Sequence, residues 1–113
     1  MNKITELQRK NILLKLKEQE SECIYRIRLY YRADEGQEFR KAVAYNSAFK
    51  YAMEIIEMWN KDIEELKGYC NRHSELDGQS AMRFKEDTLL FNKYKARTSV
   101  FNYIKYLAEK EGR

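Results

Sequence analysis

Proline is absent from this chain, and glycine occurs only at positions 36, 68, 78 and 112. Proline breaks helix interiors and glycine weakens them, so their scarcity leaves few places where a helix must stop. Folds rich in β-structure need turn residues about every ten positions, and that punctuation is missing. Histidine occurs once, as His73, and cysteine twice, as Cys23 and Cys70, far apart and in no CxxC pattern. The isolated glycines form neither a G-x-x-x-x-G-K-[ST] nor a G-x-G-x-x-G phosphate loop. No run approaches the roughly 18 consecutive apolar residues of a membrane span. Met1 to Lys17 lacks the unbroken apolar core and small-residue cleavage site of a signal peptide. The expectation is a cytoplasmic chain with reduced thiols and no membrane partner.

Aromatic and charged residues are plentiful. Nine Tyr, five Phe and one Trp accompany a charged fraction of 35%, above the roughly 25% of ordinary globular chains. The aromatic content argues against disorder, and 113 residues fit one small helical domain over 1–113. The net charge of +4 is spread along the chain and forms no basic tail. Glu6 and Lys10, Glu22 and Arg26, and Glu57 and Lys61 have the acid-first i,i+4 spacing that supports solvated helix faces.

Two polar interruptions divide the chain, Ala33 to Gln37 and Ser74 to Ser80. Between them Ala42, Tyr45, Phe49, Ala52, Ile56, Trp59, Ile63, Leu66 and Cys70 recur in steps of three and four. That spacing predicts one long amphipathic helix, with Ile56 and Ile63 in structural roles. Phe84, Leu90, Phe91, Tyr94, Thr98, Phe101, Ile104 and Ala108 predict a further helix from Ser80 to about Lys110. In the first segment Ile4, Leu7, Leu13, Leu16, Cys23, Ile27 and Tyr30 share a helical face. Cys23, Tyr25, Ile27, Leu29 and Tyr31 also alternate with polar residues in strand fashion. The expected fold is therefore all-α, an antiparallel bundle of three long helices with short loops. The alternative is an α+β chain with a small hairpin around 22–45. Wide aromatic stripes on three helices also suggest a homo-oligomer.

Catalytic groups are sparse. Cys70-x-x-His73 spaces a thiol and an imidazole by one helical turn, but no fourth metal ligand is evident. Cys70 also completes the apolar seam. Carboxylate runs such as Asp62-x-Glu64-Glu65 read as solvated faces, and the Glu…Glu-x-x-His pattern of di-iron bundles is missing. No catalytic residue, metal or cofactor is assigned, and the expectation is a chain that is not an enzyme.

Basic residues interleaved with tyrosines are the feature that points outward. Arg28, Tyr31 and Arg32 cluster in Tyr25 to Arg32, while Lys93 and Arg97 lie one turn apart around Tyr94. Tyr, Trp, Arg and Met are enriched in protein interfaces. These five residues are the expected contacts for a protein partner. Arg and Lys also neutralise phosphates while tyrosines stack on bases, so the alternative is a small nucleic-acid-binding regulatory or replication accessory protein. In its Lys-, Tyr-, Asn- and Ile-rich composition the whole chain resembles small accessory proteins of bacteriophages and other mobile elements. That resemblance, one of composition without a motif, implies an inhibitor or adaptor of a host protein.

Overall fold

Three of the four helices of this protein start on a side-chain cap. In the computed structural model, which describes residues 3–112, α1 spans Glu6–Arg32, α2 Gly36–Met58, α3 Ile63–Arg83 and α4 Thr88–Glu111. Helix α1 opens on a capping box: the Gln8 amide donates to Thr5 Oγ1 at 3.0 Å, and the Thr5 amide donates back to Gln8 Oε1 at 2.9 Å. Asp62 caps α3 by accepting from the Glu65 amide at 2.8 Å, and Asp87 caps α4 by accepting from the Leu90 amide at 3.1 Å. Helix α1 closes at Asp34, whose φ of 57° is left-handed. The Glu35 amide donates to Tyr30 O and the Asp34 amide to Tyr31 O, the pairing of a Schellman close.

The all-α expectation holds, and no strand occurs among the described residues. Cys23 to Tyr31 is helical, so the hairpin alternative fails: a 27-residue helix satisfies its own backbone and packs against α2. The three-helix expectation is corrected to four. The long middle helix stops at Met58 and α3 begins at Ile63. Arg9 makes this break. Its guanidinium donates to the carbonyls of Ile56, Glu57 and Trp59, which occupies the acceptors left at the end of α2. Trp59 Nε1 donates to Asp62 O at 3.1 Å, and the Ile4 amide to Lys61 O at 2.8 Å. The expected interruption at Ser74 to Ser80 is instead continuous helix. Ser74 is buried and donates to Asn102 Oδ1 at 2.8 Å on α4. The third loop lies between Arg83 and Thr88, inside what reads from sequence as one helix.

Helices α1 and α2 form one antiparallel pair and α3 and α4 another. The pairs join through α2 and α4, which run parallel: Tyr45 donates to Ser99 at 3.1 Å, and Phe49 meets Tyr103 edge to face. The N-terminal end of α1 also reaches the C-terminal end of α4, where Gln8 and Asn11 donate to Glu111. Helices α2 and α3, although consecutive, do not pack side by side. The molecule is a flattened bundle of 49 × 30 × 21 Å whose core includes Ile12, Leu16, Ala52, Ile56, Leu66, Cys70, Ala96 and Ile104. Nearly the whole predicted seam is buried or half-buried, on both sides of the break at Trp59. Leu7 is the exception in the first segment: it is exposed, and Ile12 fills the core there. The ion pairs are local and most are exposed, Glu22 with Arg26 among them. Glu6 pairs with Arg9 instead of Lys10, and Lys61 with Glu65 beyond the end of α2.

Candidate functional site

The parallel pair α2 and α4 meets through Tyr45 with Ser99, Phe49 with Tyr103 and Tyr51 with Phe101. Ala48 and Ala52 on α2 and Ala96 on α4 are buried, and alanine permits close approach. Toward the N-terminal ends of both helices the contact opens into a gap. A cavity of about 580 Å³ lies there, lined by Arg40, Val43, Ala44, Ser47 and Ala48 from α2 and by Thr88, Leu89, Leu90, Asn92, Lys93 and Arg97 from α4. The lining follows helical spacing. Leu89, Lys93 and Arg97 are four residues apart on α4, and Arg40, Val43 or Ala44, and Ser47 or Ala48 repeat by three and four on α2.

The walls are apolar, the charged groups are all cationic, and Leu89 is 78% exposed at the rim. Among the described residues no carboxylate lies within 4.0 Å of the nitrogens of Arg40, Lys93 or Arg97. Aromatic rings hold two of the cations in place. The Arg97 guanidinium lies 4.5 Å from the Tyr51 ring centre, and Lys93 Nζ lies 5.5 Å from that of Tyr94. Tyr51 packs edge to face on Phe101. Phe101 in turn touches Tyr69 and His73 on α3, so an aromatic cluster backs the site. Asp77 on α3 faces the same cations from the other side. Burial raises its carboxyl pKa, and Arg97, His73 and Lys93 oppose that rise.

No family model, curated protein or solved structure matches this chain. The reading of the site therefore rests on its own geometry.

The predicted contact residues fall into two groups. Lys93 and Arg97 come together in the groove. Arg28, Tyr31 and Arg32 lie on the exposed surface of the C-terminal half of α1, and none of them lines the cavity. Tyr31 leans on Phe39 of α2 with ring centres 5.8 Å apart, and Tyr25 and Leu29 are exposed nearby. Arg40, Val43 and Leu89 were absent from the sequence expectation. Their signal, an Arg-Val/Ala-Ser stripe beside the main seam, is legible only once α4 is known to lie alongside α2.

Neither thiol is exposed. Cys23 and Cys70 are free and buried; burial raises the pKa of Cys23 and pushes that of Cys70 up to about 12. The His73 ring packs at a tilt against Tyr69, 4.1 Å between centres. Among the described residues no group of three or more His, Cys, Asp or Glu side chains is gathered to hold a metal ion. No helix there is long and apolar enough to cross a membrane.

Proposed function

We propose that this protein is a non-enzymatic protein-binding module, an accessory protein of phage or mobile-element type that inhibits or adapts a host protein. The observation that carries the reading is the groove between α2 and α4, an apolar trough edged by three cations without carboxylate partners. Protein interfaces bury apolar anchors inside a polar rim and favour Arg, and the groove combines Val43, Leu89 and Leu90 with Arg40 and Arg97. The exposed Arg28, Tyr31 and Arg32 on α1 offer a second contact area for a large partner.

Selection from a displayed library of random 16-residue peptides tests this reading. Sequences binding the folded chain should be enriched over those binding its urea-denatured form. Charge reversal at Lys93 and Arg97, or alanine at both Arg28 and Arg32, should remove a substantial share of the binders while helicity by circular dichroism is unchanged. No enrichment on the folded chain would defeat the proposal.

Nucleic-acid binding is the second reading, favoured by Tyr25 and Tyr31, which stand exposed beside Arg28 and Arg32. Fluorescence anisotropy with labelled single-stranded and duplex DNA and RNA discriminates between the two. Micromolar binding that falls steeply with salt belongs to phosphate contacts and would move the chain to this second class.

A further inference from the structure

We infer that the groove between α2 and α4 is the docking site for an acidic amphipathic helix of a partner protein. This inference rests on the protein-binding reading and names the chemistry of the occupant. Three observations carry it.

The first is charge. Arg40 stands on one wall and Lys93 and Arg97 on the other, and no acidic residue lines the cavity. Asp77, a carboxylate that feels Lys93 and Arg97, lies on α3, partly buried and beyond ion-pair distance of the groove cations. A docking segment with Asp or Glu would therefore meet cations that form no ion pair among the described residues. A basic segment would be repelled.

The second is length. The α4 lining runs from Thr88 to Arg97 and the α2 lining from Arg40 to Ala48. At 1.5 Å per residue each wall extends about 12–14 Å, roughly two to two and a half helical turns. An occupant helix over that length presents apolar anchors at i, i+3 or i+4, and i+7 to the trough. Carboxylates one turn apart on its flank then match the spacing of Lys93 and Arg97. A small molecule with one anionic head would engage one end of this array and leave the other cations unanswered.

The third is the apolar content. Leu89 projects at the rim and Val43 is partly exposed on the opposite wall. A volume of about 580 Å³ is on the scale of the two or three apolar anchors that helix-in-groove recognition uses.

The test uses the full chain and the peptide library described above, now read for sequence and site. Recovered binders should carry apolar residues at i, i+3 or i+4, and i+7 with net negative flanks. Made synthetically and fluorescently labelled, a leading binder should lose at least tenfold affinity when its Asp and Glu are replaced by Lys. It should lose a similar factor on the Lys93→Glu/Arg97→Glu protein and severalfold on Leu89→Ser, with circular dichroism confirming that both variants stay helical. The doubly reversed protein should prefer the Lys-substituted peptide. Binders that are basic, or whose affinity ignores all three substitutions, would overturn the inference while leaving the protein-binding reading intact. A library that yields nothing defeats both. A wild-type dimer by gel filtration that Lys93→Glu/Arg97→Glu dissociates would assign the groove to a second copy of the chain and overturn the inference as well.

Discussion

Asp77 shows how one residue carries a charge conflict into the fold. Its carboxyl is drawn out of water between α3 and α4, and burial outweighs the attraction of Arg97, His73 and Lys93, so its pKa is raised. An unfolded Asp titrates near about 3.9. Between that value and the raised folded one, the native state keeps a proton that the unfolded chain has lost, so stability falls as pH rises through the window. Asp77→Asn removes this dependence. The stability of the variant relative to wild type, from urea unfolding at a series of pH values, should grow as pH rises from about 4 and then level off. A difference that stays flat or declines would show that the cations dominate at this position. Asp34 illustrates a different residue-scale point. Its left-handed backbone closes α1, a position usually taken by glycine, and Gly36 two residues later is simply the first residue of α2. The charged run at 33–37 therefore marked the right turn although its glycine was not the residue that makes it.

At the scale of elements, one loop that sequence reasoning missed is bound by a distant side chain, while the other, before Thr88, is closed locally by Asp87. Met58 to Asp62 contains neither glycine nor proline, and the apolar spacing runs through it undisturbed. The local signal is Asp62, whose side chain caps α3. The stop comes from Arg9, distant in sequence, whose guanidinium occupies three carbonyls at the end of α2. Conversely, Ser74 to Ser80 looks like a loop because it is polar and contains Gly78, yet it stays helical against α4, with Ser74 bonded to Asn102. The seam itself was legible because burial obeys helical period on either side of the break. The groove was half legible: Lys93 and Arg97 stand out by spacing, whereas Arg40 and Val43 gain meaning only from the pairing of α2 with α4. Because Arg9 is largely buried beneath this loop, Arg9→Ala should destabilise the protein by about 1.5–3 kcal/mol in urea unfolding, the range for hydrogen bonds to a charged donor. Arg9→Lys should recover only part of the loss, since an ammonium lacks the planar fork that reaches several carbonyls. Full recovery by lysine would mean that charge at the helix end, not carbonyl capping, ends α2.

At the scale of the whole molecule, the two helical pairs meet along one line that is tight in its middle and open at one end. Ala52 on α2 and Ala96 on α4 are 1% and 0% exposed, so a larger side chain at either position must displace packed neighbours. The open end, by contrast, has space around Val43. Adding bulk at these two places should therefore have opposite consequences. Ala96→Leu should cost about 1–3 kcal/mol through overpacking. Val43→Leu, extending into the groove, should change stability by no more than about 0.5 kcal/mol. Both values come from the same urea titrations. If Val43→Leu proved as costly as Ala96→Leu, the α2 and α4 helices would have to close on each other along their full length in solution, leaving no trough for a partner. If both costs stayed small, the alanine contact would be too loose to hold the pairs in register, and the trough would lack a rigid frame. The predicted asymmetry is what a preformed docking groove requires: one end fixed by close helix contact, the other held open by the same two helices. Such a groove binds a helix without the cost of ordering its own walls.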